Sequence, residues 1–292
     1  FTDNANYLMH TADAFGQFDW NPTERLNVIA GLRFDYFSDS NVRHLSPHLG
    51  MMYKIGNCSL RGSYSQGFRS PTLKEMYMVF NMANMMMIYG NPDLKSETSH
   101  NFSLSAEYTK NRYNFSVTGY YNLVHNRINT VYSDDHKGQI YTNTDKVDIA
   151  GVDANISAKY PCGLVFRMSY TYIHEFMRDG QKKFTDTRPH TATVRVDWGE
   201  NLDKVDFNYS LNGRILSEVK TNVYNDSFNN PAAGSTAVTY PGYMIWDLTF
   251  SVGVFKGVNM NLAINNLFNY VPDYYYFNSP TTTGANLTLG LS

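Results

Sequence analysis

The densest group of residues with ligand chemistry lies in one stretch of the chain, residues 68–94. A thioether sulfur and a phenolate oxygen can each be an axial ligand of haem iron. Methionine side chains also adapt to large, flat, apolar ligands without ligating them. The stretch therefore predicts a contact surface for a bulky ligand, and packing of the loop onto its neighbours is the alternative. Its candidate binding residues are Met78, Met82, Met85, Met86, Met87 and Tyr89.

Histidines form a second candidate group, because imidazole binds iron, haem and cobalt. We predict His125 and His136 as ligand-contacting residues, together with Tyr275 in an aromatic run near residue 275. The alternative is that polar loops simply hold the polar residues. All eight histidines fall on the side of the long connections described below: His10, His44, His48, His100, His125, His136, His174 and His190.

Arg69 lies at the start of the methionine-rich stretch, in the sequence Phe-Arg-Ser-Pro at residues 68–71. It is a candidate substrate contact. A structural role is the favoured interpretation: Pro71 leaves the strand ladder, and Arg69 either snorkels or pairs with Glu75 as the loop begins.

Bulk properties exclude several classes of protein. A net charge of −2 gives no electrostatic attraction to nucleic acid. Neither Gly-x-Ser-x-Gly nor His-Glu-x-x-His occurs, so the sequence does not predict an enzyme. Cys58 and Cys162 form neither a disulfide scaffold nor a metal site, and we expect them to remain unpaired.

Most of the remaining chain alternates apolar and polar residues, the pattern of half-buried strands. The pattern predicts an all-β antiparallel fold of thirteen strands with no helix of ordinary length. No apolar run approaches the roughly 18 residues of a membrane-spanning helix. The predicted strands are residues 12–20, 26–36, 47–55, 59–67, 102–108, 113–121, 152–160, 164–172, 192–198, 205–211, 244–252, 258–264 and 285–291.

The connections between these strands alternate between short and long. Short ones include residues 56–58 and 110–112, and long ones include residues 69–94, 124–144 and 218–241. Short turns at one end and long loops at the other are typical of an outer-membrane β-barrel. We therefore predict a transmembrane β-barrel with periplasmic turns and extracellular loops, a soluble antiparallel domain being the alternative.

Several motifs resemble those of TonB-dependent outer-membrane receptors. They are Phe-Arg-Ser-Pro at 68–71, Asn-Pro-Asp-Leu at 91–94, Lys-Ser-Glu-Thr-Ser at 95–99, Gly-Val-Asp at 151–153 and Ala-Ile-Asn-Asn-Leu-Phe-Asn at 263–269. This family has an N-terminal plug inside a 22-stranded barrel. The resemblance covers the whole chain, and we expect residues 1–292 to be the C-terminal part of such a barrel, without the plug and first strands.

The resemblance implies a bacterial outer-membrane transporter that actively imports a scarce, bulky nutrient. The implied partners are TonB with its inner-membrane energy complex, acting through the plug, outer-membrane lipid and a surface lipoprotein. No permanently bound cofactor is expected. The alternatives are a passive channel, an adhesin or a soluble carbohydrate-binding domain.

The ligand suggested by the two motifs is haem or a related iron complex, because their arrangement resembles the haem-receptor branch. In that branch the segment between the motifs carries a haem-binding histidine, whereas residues 72–90 contain none. We therefore expect methionines to contact the macrocycle, with histidines of other loops or the plug binding iron. Cobalamin and iron–siderophore complexes are the alternatives.

Overall fold

The structure is a computed structural model that describes residues 8–38, 42–82, 86–132, 138–176, 187–202, 205–224, 234–255, 258–273, 282 and 284–291. Its single short helix among these residues is α1, Leu73–Tyr77. The strands are β1 Thr11–Thr23, β2 Leu26–Phe37, β3 Val42–Ile55, β4 Cys58–Arg69, β5 Val79–Met82, β6 Met86–Tyr89, β7 Glu97–Lys110, β8 Tyr113–Tyr132, β9 Gly138–Lys159, β10 Leu164–Phe176, β11 His190–Leu202, β12 Val205–Leu216, β13 Val219–Tyr224, β14 Ser235–Tyr240, β15 Tyr243–Phe255, β16 Val258–Asn265 and β17 Asn286–Leu291.

Thirteen of these strands form one antiparallel sheet in the order β1-β2-β3-β4-β7-β8-β9-β10-β11-β12-β15-β16-β17. The thirteen predicted strands and their antiparallel arrangement are confirmed. The four remaining strands lie within long connections and were not predicted: β5 and β6 form one hairpin, and β13 and β14 form another. Within the described residues, β1 and β17 pair with no strand on their outer sides.

The register keeps the two faces of the sheet chemically distinct. Phe34 pairs with Leu45, Leu104 with Gly119 and Leu262 with Leu289 on what we call the apolar face. Its side chains are largely exposed, with Leu104 at 74%. Residues that pair across two strands share a face, so a shift of the pairing by one residue would move every apolar side chain to the other face.

The opposite, polar face carries hydrogen-bonded and charged pairs. The Arg61 guanidinium lies 2.7 Å from the Glu107 carboxylate on the neighbouring β7. Arg167 and Arg195 both contact Asp197, at 2.6 and 2.9 Å. Such a face suits a wet barrel lumen. Within the described residues, no helix is long and apolar enough to span a membrane.

Several strands extend beyond their predicted bounds: β7 begins at Glu97 instead of residue 102, and β12 ends at Leu216 instead of residue 211. Residues 124–144 were expected to be a loop, but β8 runs to Tyr132 and β9 begins at Gly138, so residues 124–132 and 138–144 extend the ladder. The third strand begins at Val42 rather than at residue 47. Pro47 pairs with β2, while the pairing of β3 with β4 starts only at His48. Proline lacks a backbone N–H, which explains why it lies where one ladder ends.

The Gly-Val-Asp sequence at residues 151–153 has a steric role. A Cβ atom on Gly151 would lie 2.2 Å from Cζ of Tyr120, its cross-strand partner on β8. The phenol ring therefore lies directly over the glycine. Asp153 accepts a 2.7 Å hydrogen bond from the Thr171 hydroxyl on β10. The motif thus fixes β9 between its two neighbours.

Both cysteines are free thiols. Cys58 begins β4, and Cys162 lies in the turn between β9 and β10, four strands away along the sheet. At about 4.8 Å between neighbouring strands, that separation greatly exceeds the reach of a disulfide. The expectation that they remain unpaired is confirmed.

We predict that Gly151→Val destabilises the sheet, because the new side chain must displace the Tyr120 ring. Overpacking of this kind costs roughly 1–3 kcal/mol. The control is Gly119→Val on β8, where an added Cβ meets no atom within 4 Å. The measurement is equilibrium unfolding of the full-length protein in urea. Equal midpoints for the two variants would contradict the role of the Tyr120 ring.

Candidate ligand-binding site at the long-loop edge

The connection between β4 and β7 begins with a capped helix. Thr72 accepts a hydrogen bond from the backbone N–H of Glu75, and the Glu75 carboxylate accepts one from the backbone N–H of Thr72. This reciprocal capping box satisfies two helix-end donors and contributes about 1 kcal/mol. Pro71 is fully buried just before it. The first motif therefore ends a strand and starts α1.

Arg69 ties this helix to the sheet. Its Nη1 atom donates to both Glu75 oxygens, at 2.8 and 3.1 Å, and its Nη2 atom donates to Glu97 of β7 at 3.3 Å. The same Glu97 oxygen accepts the backbone N–H of Ile128 on β8 at 3.1 Å. The pairing of Arg69 with Glu75 suggested by the sequence is present, so both ends of the connection meet at one guanidinium.

The Glu75 carboxylate is held in its ionised form. Burial alone would raise its pKa, but hydrogen bonds from Thr72 and Arg69 outweigh that effect and place the pKa below its ordinary value. A group with a depressed folded pKa stabilises the structure above its unfolded pKa, and this stabilisation is lost as the pH falls through the folded pKa. The anchor of α1 is therefore sensitive to acid.

The methionine-rich segment is an ordered hairpin. Strands β5 and β6 pair antiparallel, and β6 adds in parallel to the start of β9, with Met87 opposite Gly138 and Tyr89 opposite Ile140. A Cβ atom on Gly138 would lie 2.2 Å from the Met87 carbonyl oxygen, so close approach of the two strands requires glycine there. No sequence pattern indicated this parallel pairing.

The second motif closes the connection. The Asn91 side chain donates to the Tyr141 carbonyl oxygen at 3.0 Å. Asn143 accepts from the backbone N–H of Lys95 and donates to its carbonyl oxygen, at 2.8 and 2.9 Å. Gly90 lies against α1, because an added Cβ would come within 2.7 Å of the Met76 backbone. Both motifs thus fix the loop to the β8–β9 hairpin.

A small apolar core forms at this edge of the sheet. The residues that are less than a tenth exposed here are Met76, Leu94, Val124, Ile128 and Val147. Val124 and Val147 pair directly on the face that is otherwise polar. Met76 therefore has a packing role, whereas Met78, Met87 and Tyr89 are only half buried and can meet a ligand.

The predicted site residues separate into three groups. Arg69, Met78, Met87 and Tyr89 lie together in the connection, and the backbones of Met82 and Met86 pair at the tip of its hairpin. His125 lies instead on the apolar face, with its ring 6.0 Å from that of His100. Met85, His136 and Tyr275 lie outside the described residues. Among the described residues, no group of three or more His, Cys, Asp or Glu side chains forms a metal site.

Comparisons with known proteins agree with this architecture. The family model described as "TonB dependent receptor-like, beta-barrel" matches residues 2–267. The iron-regulated outer membrane virulence protein of Vibrio cholerae is 25% identical over an alignment 280 residues long, which covers 89% of this chain and 41% of that protein. The chain thus spans about two fifths of the length of this curated relative.

Solved structures share the fold. The siderophore receptor PirA from Acinetobacter baumannii is 19% identical, with a TM-score of 0.72 over 89% of this chain and 42% of its own. The FrpB iron transporter from Neisseria meningitidis is 15% identical, with a TM-score of 0.74 over 97% of this chain and 45% of its own. At these identities the likeness concerns the fold alone.

We predict that Gly138→Ala releases the hairpin from β9, because its Cβ would collide with the Met87 carbonyl group. Hydrogen exchange at residues 79–89 should accelerate at least tenfold, since a loss of about 1.4 kcal/mol changes an opening equilibrium tenfold. Gly16→Ala on β1 is the control, because its Cβ meets no atom within 4 Å. Unchanged exchange in Gly138→Ala would show that the parallel pairing does not hold the loop.

A second prediction concerns the acid sensitivity of the contacts that anchor α1. Proteolysis of the connection between β4 and β7 should increase as the pH falls from the ordinary carboxyl pKa of 4.5 through the lower pKa of folded Glu75, because the stabilisation by its ionised form is lost over that range. In Glu75→Gln, cleavage should already be fast at neutral pH and should respond less to acidification. Glu24→Gln, in the exposed turn after β1, is the control and should behave as wild type. An identical pH response in Glu75→Gln would contradict the anchoring role.

Proposed function

Because the chain belongs to the TonB-dependent receptor-like β-barrel family, whose members lie in the bacterial outer membrane, we propose that it forms the C-terminal part of the barrel of an active importer of an iron complex. A plug within the complete barrel closes the lumen, and TonB with its inner-membrane energy complex drives its opening. The long connections face outward and capture the ligand.

One observation carries this proposal: the methionine hairpin is docked as an added strand at the long-loop edge. Backbone pairing to β9, the Arg69 ion pairs and the closely packed Gly138 and Gly90 all order a segment that has little apolar burial of its own. A loop that only joined two strands would need none of these contacts. Its half-buried Met78, Met87 and Tyr89 leave apolar, polarisable side chains partly accessible to a ligand.

The proposal of iron as the cargo is supported by the relatives. The Vibrio cholerae protein is described as iron-regulated, the Neisseria meningitidis protein as an iron transporter, and PirA as a siderophore receptor. A passive channel or an adhesin would have no use for an ordered ligand surface and an energy-coupled plug. An enzymatic role lacks a motif to support it.

Within the iron complexes, haem suits the methionine surface best. A porphyrin is a large, flat, apolar ligand, which flexible thioether side chains accommodate well, and both Met and Tyr can be axial ligands. Histidines of other loops or of the plug would supply an iron bond, and a surface lipoprotein would deliver the ligand. The second candidate is a ferric siderophore, because PirA, a structure with the same fold, is described as a siderophore receptor. Cobalamin is a third ligand of suitable size.

The test replaces Met82, Met85, Met86 and Met87 together with Ser in the full-length receptor. Haem affinity, measured by quenching of protein fluorescence, should fall at least tenfold, equivalent to about 1.4 kcal/mol of lost contact. Growth on haem as the iron source should fall with it. A matched variant with Leu at the same four positions keeps the apolar surface and removes only the sulfur atoms.

The outcomes distinguish the roles. Retained haem binding with Leu and lost binding with Ser would identify apolar contact, while loss with both would identify ligation by sulfur. Unchanged binding and growth in the folded Ser variant would exclude this loop as the haem contact. Titration with a ferric catecholate siderophore in parallel tests the second candidate: tight binding of that complex alone would replace haem as the ligand.

A further inference from the structure

Two tyrosine–histidine pairs lie on the apolar face near its long-loop end. The Tyr64 hydroxyl on β4 lies 2.9 Å from Nδ1 of His100 on β7. The Tyr170 hydroxyl on β10 lies 2.7 Å from Nδ1 of His190 on β11. The ring centroids are 6.1 Å apart in both pairs, and the rings are stacked in both. The same arrangement therefore occurs twice on one sheet, four strands apart.

The two pairs occupy equivalent positions in the register. His100 pairs with Gln66, and His190 pairs with Tyr172, so each histidine lies opposite the residue two positions after the tyrosine. In both cases the tyrosine strand runs toward the long loops and the histidine strand returns from them. A repeated diagonal contact of this kind follows from the sheet geometry and is not visible in the sequence.

The hydrogen bond from the tyrosine determines which imidazole nitrogen can donate to a further group. When the phenol donates to Nδ1, a neutral ring carries its proton on Nε2. Among the described residues, neither the His100 Nε2 atom nor the His190 Nε2 atom has a hydrogen-bond partner. Each pair thus holds one oriented N–H donor on the face that meets lipid.

The height of the pairs matches a membrane boundary. His100 lies eight residues before Tyr108 on β7, and His190 lies eight residues before Trp198 on β11. Phe102 and Leu104, in the first interval, are exposed and apolar. Eight residues span about 27 Å along a strand, or about 20 Å across the membrane at a 40° tilt, close to the height of an apolar barrel band.

The two boundaries differ in chemistry. The short-turn side carries aromatic contacts such as Tyr113 with Tyr160 and Trp198 with Tyr209, which suit a general aromatic belt. The long-loop side adds histidines and cations on the same face: Arg43 lies over the Tyr36 ring, and Lys146 lies opposite His125 in the strand register.

Among the described residues near these histidines, one acid lies on the same face. It is Asp148 on β9, whose carboxylate accepts a hydrogen bond from the Tyr121 hydroxyl. Donors and cations otherwise dominate this boundary, which makes it complementary to anions.

We propose that the Tyr64–His100 and Tyr170–His190 pairs bind the phosphate groups of anionic lipids in the leaflet on the long-loop side. The Nε2–H groups donate to phosphate oxygens, and the tyrosine hydroxyls keep the imidazoles in the donating tautomer. Lys146, opposite His125 on the same face, adds positive charge two strands away from His100. This lipid contact is independent of the ligand that the loops capture.

The experiment reconstitutes the full-length receptor in phosphatidylcholine bilayers at pH 7. Spin-labelled phosphatidic acid and spin-labelled phosphatidylcholine report the relative affinity of each lipid for the protein surface. We expect a roughly threefold preference for phosphatidic acid, since hydrogen bonds to a charged group are only partly offset by lost hydration. In the double variant His100→Phe/His190→Phe, the ratio of phosphatidic acid affinity to phosphatidylcholine affinity should fall close to one. A preference equal to wild type would overturn the proposal.

Two further double variants distinguish hydrogen-bond donation by the imidazoles from lipid selectivity caused by any aromatic belt. Tyr64→Phe/Tyr170→Phe leaves the imidazoles in place but removes the hydroxyls that orient them, so its preference should lie between those of wild type and the histidine variant. This variant also provides the test if the histidine variant fails to insert. The control Tyr113→Phe/Tyr160→Phe changes the short-turn boundary and should retain the full preference. An equal loss in that control would show that the selectivity belongs to aromatic belts in general.

Discussion

The structure depends on the need of every strand for a hydrogen-bonded neighbour. Lipid offers no alternative partner for a backbone N–H or C=O group, so a membrane-spanning sheet must keep its ladder continuous. Thirteen strands meet this requirement in unbroken antiparallel order. The same ladder forces side chains to alternate, which separates a lipid-facing surface from a polar lumen without any helix. Irregular features are confined to places where the ladder can tolerate them, such as Pro47 at the end of one pairing.

The strand pairing also explains why the long connection between β4 and β7 is ordered. Strands β8 and β9 continue beyond their neighbours, which leaves the β9 edge free to accept β6. Arg69 then joins the helix that precedes this hairpin to the strand that follows it. The methionine hairpin is thereby held by backbone pairing and ion pairs, and Met76 alone among the described methionines is buried in packing. A surface built in this way can stay exposed without collapsing onto the sheet.

The two ends of the apolar face meet different environments, and their residues differ accordingly. Tyrosine and tryptophan predominate at the short turns, and tyrosine–histidine pairs are added at the long loops. Spacing of eight residues between the boundaries recurs on β7 and β11, which gives the face a constant height despite unrelated side chains. The barrel wall can therefore distinguish its two leaflets by hydrogen-bond chemistry as well as by orientation.

The sequence by itself determined the strands, their antiparallel order and the class of fold, because alternation of period two is a local property that the pleated backbone imposes. It also indicated the Arg69–Glu75 pair, whose partners are six residues apart and share one loop entry. Tertiary structure alone decided that residues 124–132 and 138–144 extend the ladder, that β6 pairs with β9, and that His125 lies on the apolar face. These outcomes depend on contacts between residues that are distant in the chain, such as Met87 with Gly138 and Tyr64 with His100, and such contacts leave no periodic signal in the sequence.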